Sequence, residues 1–319
     1  MAAGSGPTDR VREEELLPEL FRLADSASAL GQRLAVTLAR WQLVLLITAA
    51  AAGAVGRRSA DWLAAAACLG AAGLAARLGR RQPQALWYEG RAAAESVKTL
   101  AWKYAVRADA YQPPPQQRQQ PTQDAEGAYR RQLDGLLAGF GDGAGGPGAA
   151  LPAGAAGAAG PAAVTTAMRE LREQPLAVRR AVYLRERVAA QRDWYRAKAA
   201  YCGRAGRATE LLGVALPLLG LALAVCRALG ALPVDALGPV ATLAAAVTAW
   251  AQLRQYRPLA AAYRLAAGEL DQVTEQLGRL DPGAAGAEEL WARLARDAED
   301  AVSREHTTWQ ARRELRPDH

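Results

Sequence analysis

Three charged residues offer the first opportunity for chemistry. Arg91, Glu95 and Lys98 stand at i, i+4 and i+7, so a helix would place them on one face where they can pair. The expected outcome is a solvated ladder contributing a few tenths of a kcal/mol per pair; the functional alternative is a headgroup-facing or gating network. Glu186, Arg187 and Asp193 form a second charged group, in a helical stretch crowded with both signs of charge. That pattern is expected of a soluble face rather than an acid–base pair. His306 follows Glu305 with no Ser or Cys nucleophile in a recognisable arrangement, and neither His306 nor His319 has metal-ligand spacing. Cys68, Cys202 and Cys226 are far apart and form no CxxC pair. There is no GxxxxGKS/T and no strand-turn-helix GxGxxG. The expectation is no catalytic, cofactor or metal site, and no enzyme.

The elements that carry these residues follow from composition. Of 319 residues 51% are hydrophobic, and alanine is the commonest of them; with 2 Phe and 2 Met there is little material for a large aqueous core. Ala and Gly instead permit close helix approach, as in membrane helices, and the scarcity of β-branched and aromatic residues disfavours strands. The fold class expected is an all-α membrane protein of two transmembrane helical hairpins with long cytoplasmic helical extensions. Four stretches lack any Asp, Glu, Lys or Arg: Trp41 to Gly56, Trp62 to Ala76, Leu211 to Cys226 and Ala236 to Leu253. Each is shorter than the roughly 20 residues that cross a bilayer, and the flanking Arg40, Arg77, Arg227 and Arg254 can snorkel to lengthen it. The second stretch, with three Leu, is the weakest.

Orientation follows from the arginines. They cluster after the second stretch (Arg77, Arg80, Arg81), before the third (Arg204, Arg207) and after the fourth (Arg254, Arg257), whereas the hairpin turns hold Arg57, Arg58 and Arg227. Basic flanks stay cytoplasmic, so a multi-pass protein of the bacterial inner membrane with both termini cytoplasmic is expected. The acidic run Glu13, Glu14 and Glu15 argues against a cleavable signal peptide. Trp41 and Trp62 suit the aromatic belt at opposite ends of the first hairpin. No ionisable residue sits deep in a span, which argues against a proton-coupled pump. Candidate pore or hinge residues are Thr48, Thr242, Thr248 and Pro217, the last able to kink the third span. The net charge of +7 fits nucleic acid as well as an anionic membrane, but no reader motif is present, so nucleic acid is not the expected partner.

Apolar seams continue beyond the spans. Leu259, Tyr263, Ala266, Leu270, Val273, Leu277 and Leu280 alternate spacings of four and three, an a/d pattern of coiled-coil type. Leu184, Val188, Tyr195, Ala199 and Cys202 lead into the third span, and Leu86, Ala93, Val97, Leu100 and Tyr104 leave the second. Trp291, Leu294, Ala298, Val302 and Trp309 mark a last helix. Gln112 to Gln120 and Gly139 to Ala163 read as linkers around a short helical piece, Ala125 to Leu137, so the two halves are expected to be geometrically independent. The expected divisions are an N-terminal segment 1–30, a first two-transmembrane domain 31–138, a Gly/Ala/Pro linker 139–165 and a second two-transmembrane domain 166–316.

Leu86 to Tyr104, LWYEGRAAAESVKTLAWKY, resembles the helix that follows the hairpin in SLATT-type two-transmembrane effector domains. Tyr183 to Ala199 and Ala298 to Arg312 resemble the helices flanking the hairpin in the related DUF4231 group. The hallmark residues carried by this likeness are Trp87, Tyr88, Arg91, Glu95, Lys98, Trp102, Tyr104, Arg187, Trp194, Tyr195, Lys198, Glu305 and Trp309. The resemblance implies a tandem repeat of subtypes and an effector, pore-forming and homo-oligomeric, in a bacterial conflict or anti-phage system. No sensor domain is recognisable in the chain, so the signal would come from a separately encoded nucleotide-sensing or signalling partner. The alternative is a membrane-anchored helical scaffold recruiting proteins or anionic lipids.

Overall fold

The computed structural model describes residues 11–108, 111, 121–141, 163–231 and 236–314, with side chains described between 125 and 138 and up to residue 302 in the segments that enclose them. Among these residues every regular element is a helix. In chain order they are α1 (Glu13–Leu16), α2 (Glu19–Gly53), α3 (Arg58–Arg81), α4 (Pro83–Ala105), α5 (Pro121–Gly141), α6 (Thr166–Glu173) and α7 (Leu176–Val182). A π-helical segment (Tyr183–Ala189) follows, then α8 (Ala190–Ala228), α9 (Leu237–Arg254), α10 (Tyr256–Gly278) and α11 (Ala287–Glu314). The first linker and nearly all of the second lie outside the described residues.

The chain forms two compact units, and they cut across the two halves of the sequence. Unit 1 comprises Met1–Gly31, Gln84–Trp194 and Ala266–His319; unit 2 comprises Gln32–Pro83 and Tyr195–Leu265. The halves are therefore not independent bodies, contrary to the expectation drawn from the linkers. A flexible connection limits how far two segments can separate, but burial of their apolar seams decides where they go.

Unit 2 holds both apolar hairpins. Small residues fill its interior: Ala49, Ala52, Ala67, Ala71 and Ala246 are buried, while Leu46, Leu63, Leu69 and Leu243 of the same helices are exposed. A Cβ at Gly70 would stand 3.1 Å from Leu45, and one at Gly220 would stand 3.6 Å from Leu237. Each glycine thus sits where the two helices of its hairpin approach one another.

The backbone repeats itself between the hairpins where the side chains do not. The turns that follow the outgoing helices hold Gly56 (φ 66°) and Gly230 (φ 72°), left-handed positions that glycine takes without a steric penalty. The return helices α3 and α9 end on Gln82 (φ 38°) and Gln255 (φ 45°), whose N–H groups donate to Leu78 O and Ala251 O. A new helix starts immediately after each glutamine, so both hairpins leave by the same bend.

Unit 1 is an aromatic-rich helical body. Trp102 meets Tyr183 edge-on at 5.6 Å, and Tyr183 meets Trp291 at 5.8 Å and 90°. Tyr104, Tyr111 and Tyr129 form a second buried group. The seam expected after the fourth span is present: Ala266, Leu270, Leu277 and Leu280 are buried along α10 and its end.

Candidate functional site

Among the described residues three helices are long and apolar enough to cross a membrane: Glu19–Gly53, the continuous stretch Arg58–Ala105 and the continuous stretch Leu176–Ala228. In their most apolar windows only 6%, 11% and 6% of residues are buried within the protein. Leu69 is 76% exposed and Leu211 71%. Apolar helices with so little protein cover are not the core of a soluble bundle, and a contiguous apolar surface of this kind needs another covering. The fourth expected span falls short. It forms α9, whose 18 residues rise about 27 Å against a hydrocarbon core of roughly 30 Å, and it ends on the polar Gln252 and Arg254.

The candidate pore and hinge residues are all in unit 2. The hydroxyls of Thr48, Thr242 and Thr248 donate to Val44 O, Gly238 O and Ala244 O in their own helices, at 2.9, 3.0 and 3.0 Å. Their donors are spent one turn back, which leaves acceptor lone pairs as the polar feature they present. Pro217 is exposed within α8, and the helix continues through it.

The hallmark residues of α4 do something the sequence reading did not foresee. Glu95 and Lys98 are buried in unit 1, not solvated, because α1, the π-helical segment and α11 pack over this face. Arg91 pairs with Glu95 at 2.6 Å, approaches Asp25 at 3.9 Å and stands 5.8 Å from the ring of Trp194. Lys98 donates to Glu13 Oε2 at 2.8 Å, and Trp102 Nε1 donates to Glu13 Oε1 at 3.0 Å. One carboxylate from the N-terminal acidic run therefore holds two hallmark side chains. Burial, followed by the nearby Arg187 charge, pushes the Lys98 ammonium below its ordinary pKa.

Arg187 corrects the second expectation. It does not lie on a soluble face: Arg187 is 1% exposed and Glu299 0%. Its Nε and Nη2 donate to the two oxygens of Glu299 at 2.9 and 2.8 Å, a bidentate pair. Nη2 also reaches Thr99 Oγ1 at 3.4 Å, and Tyr183 Oη donates to Glu299 Oε1 at 2.9 Å. Burial opposes the Arg187 charge, but Glu299 and then Glu95 outweigh it and hold the guanidinium above its ordinary range. Burial and the neighbouring Glu299 push the Tyr183 phenol well above its usual value. Glu186 and Asp193 do not join this pair: Glu186 accepts from the backbone N–H of Glu13 and from Arg185, and Asp193 pairs with Arg192.

Two further arginines were not singled out in the sequence. Arg172 donates to Tyr104 O and Tyr111 O at 2.7 and 2.6 Å and lies 4.7 Å over the Tyr104 ring. Burial lowers its pKa to about 10. Arg179 donates to Val106 O at 2.8 Å and pairs with Glu288, while Trp291 Nε1 donates to the same Val106 carbonyl at 2.8 Å. These donors satisfy carbonyls in the last turn of α4 and just beyond it. Nothing in the local pattern around Arg172 or Arg179 distinguishes them from exposed arginines; the acceptors at Tyr104, Val106, Tyr111 and Glu288 come from distant parts of the chain.

The remaining hallmarks divide between the units. Trp87 stacks on Tyr88 at 5.1 Å, and its carbonyl accepts from Ser28 Oγ at 3.0 Å. Tyr104 is buried in unit 1. Tyr195 is buried in unit 2, stacked on Tyr263 at 5.8 Å, and Lys198 is exposed there. The side chains of Glu305 and Trp309 lie outside the described residues.

Helical hairpins with unburied apolar surfaces, joined to a helical body with a buried ion-pair junction, define the protein as an all-helical membrane protein. Comparison with protein families places it further. Residues 18–180 match the SMODS and SLOG-associating 2TM effector domain 3, and residues 183–309 match domain 1 of the same series. The chain belongs to this family, with two SLATT domains in tandem, and such domains associate with SMODS and SLOG conflict systems. No curated protein and no solved structure matches it. The boundary between the two matches falls at the start of the π-helical segment, so the buried junction brings Glu95, Lys98 and Thr99 of the first domain to Tyr183, Arg187 and Glu299 of the second.

Proposed function

We propose that the protein is a multi-pass effector of the bacterial inner membrane that oligomerises and permeabilises the bilayer when a separately encoded, nucleotide-sensing or signalling partner is activated. The observation that carries the topology is the make-up of unit 1. Its segments come from before the first hairpin, between the hairpins and after the second, and they fold together. Segments of one folded body share one compartment, so each hairpin crosses the membrane an even number of times. If α2 and α8 cross, α3 and the shorter α9 cross back. The basic flanks then put unit 1 and both termini in the cytoplasm. The domain divisions 31–138 and 166–316 are read as the two repeats of this arrangement.

The scaffold reading is favoured by one observation: the three span threonines turn their hydroxyls onto their own helices. Such spans offer little to line an aqueous path.

Inducible expression in a bacterium, with membrane potential followed over time, separates the two. The comparison is with Leu219→Arg, a change costing roughly 2.5–3.5 kcal/mol of insertion at mid-span. The effector reading expects depolarisation by the intact chain, with its genomic neighbours supplied, and none by the variant at equal abundance. An abundant, membrane-inserted intact chain that leaves the potential unchanged assigns the protein to the scaffold class.

A further inference from the structure

The net charge of the chain hides a division between the units. Unit 2 carries fifteen Lys and Arg against three Asp and Glu, net +12, whereas unit 1 carries twenty-four against twenty-nine, net −5. The basic character of the whole chain therefore belongs to the unit with the apolar helices.

Within unit 2 the excess is concentrated at one end of the hairpins. Residues 33–40, 77–81, 204–210 and 254–257 together hold nine arginines and one carboxylate, Glu210. At 1.5 Å per residue, Arg204 and Arg207 precede Leu211 by about 10 and 6 Å and Arg254 follows Leu253 by about 2 Å, while Arg257 lies three residues further on, past the bend at Gln255. Each headgroup layer is roughly 5–8 Å deep, so with their reach these guanidinium groups fall within it.

The second hairpin builds its foot closely. A Cβ at Gly206 would stand 3.4 Å from Arg257 Cγ and 3.5 Å from Tyr256 Cβ, so α8 and α10 meet there with little between them. Cys202, Tyr256 and Ala260 pack beneath. Arg254 lies 5.8 Å from the Trp250 ring and 5.5 Å from the Tyr256 ring, which fixes its stem, and Arg257 pairs with Glu210 at 2.8 Å. The left-handed bend at Gln255 separates Arg254 from Arg257, and the matching bend at Gln82 follows Arg80 and Arg81 in the first hairpin. Four arginines with one carboxylate on a rigid foot form a surface in charge deficit.

We propose that this arginine collar binds the phosphates of anionic phospholipids, so that lipid charge is a specific partner of unit 2. The inference rests on the membrane reading above. Arginine suits the role because its planar fork donates to phosphate in two directions and is weakly hydrated. Charge complementarity selects the anionic lipid over a zwitterionic one, whose own cation would meet the same surface.

The test uses the full chain in a mild, uncharged detergent, with bound lipids measured by native mass spectrometry. The probes are phosphatidylglycerol, phosphatidylcholine and inorganic phosphate. Phosphatidylglycerol is expected to bind at least tenfold more tightly than phosphatidylcholine. Replacing Arg204, Arg207, Arg254 and Arg257 with Gln should weaken it roughly fivefold per charge, while Arg131→Gln with Arg293→Gln in unit 1 should leave it unchanged. If the fourfold variant fails to fold, rising salt on the unaltered chain must weaken phosphatidylglycerol and spare phosphatidylcholine. Equal affinity for the two lipids, a fourfold variant that binds like the parent, or inorganic phosphate displacing the lipid at equal concentration overturns the proposal. A chain that stays soluble without detergent overturns the membrane reading as well; a detergent-dependent chain indifferent to lipid charge overturns this inference alone.

Discussion

Arg187 and Glu299 provide the sharpest test of the buried junction. Both are fully buried, and they share two hydrogen bonds. Arg187→Met removes the cation and leaves Glu299 with the Tyr183 hydroxyl as its remaining described donor. Breaking a buried pair from one side costs about 3–5 kcal/mol, because the surviving charge has no compensation. Unit 1 has about 200 residues, a size at which each kcal/mol shifts the midpoint by about 2–4 °C, so the midpoint should fall by roughly 6–20 °C. Glu299→Leu should fall by a similar amount. The two changes together remove both desolvation penalties and should recover most of the loss, to within about 1–2 kcal/mol of the parent. The assay is thermal unfolding of the full chain in detergent, followed by near-ultraviolet circular dichroism. That signal includes the closely packed Trp102, Tyr183 and Trp291 cluster, which surrounds the pair and loses its order when unit 1 unfolds. Single variants that melt within about 2 °C of the parent, or a double variant losing the sum of both, would refute a buried and coupled pair.

Alkaline pH should unfold unit 1 before it ionises its phenols. Burial raises the pKa of Tyr104, Tyr111, Tyr129 and Tyr183, so the folded state holds these protons after the unfolded state has released them at about pH 10. Their contribution is present below that pH and is lost as pH rises above it. Lys98, Arg172 and Arg179, with their lowered pKa values, act in the opposite direction but are three groups against four; phenolate absorbance should therefore appear together with loss of the near-ultraviolet signal. Gly90→Ala should cost about 1–3 kcal/mol by thermal unfolding, since its Cβ would stand 2.7 Å from Ser28 N and 2.9 Å from Ala24 O, which are backbone atoms that cannot swing aside. Gly268→Ala, in open space within α10, should instead stabilise by about 0.5–1 kcal/mol. In intact cells an impermeant maleimide should label the exposed Cys226 beside the second hairpin turn and spare the buried Cys202; a Cys226 that reacts only after the inner membrane is permeabilised would overturn the proposed orientation.

Some of this architecture was determined by the sequence itself. An apolar run without charge needs a nonaqueous neighbour whatever its tertiary partners, so the hairpins, their arginine flanks and the all-helical class could be read from composition and spacing. The a/d seam from Leu259 to Leu280 was equally legible, because helical period alone decides which residues share a face. The family likeness in Leu86 to Tyr104 singled out Arg91, Glu95, Lys98 and Trp102 as a group. It did not say what covers them.

Tertiary structure decided that. Charges spaced i, i+4 look the same in sequence whether their face meets water or another helix, so the ladder of α4 read as solvated until α1 and the π-helical segment closed over it. Arg187 and Glu299 are more than a hundred residues apart, and no local pattern pairs them. Arg172 and Arg179 find acceptors among the carbonyls where α4 ends, and Arg179 a further one in Glu288, none of them near in sequence. The linkers suggested two independent halves because flexibility is visible in composition, whereas the burial that gathers both halves' helical extensions into one body depends on surfaces meeting in space. Period and hydropathy are local quantities that one segment can state alone; the compensation of a buried charge belongs to two segments at once.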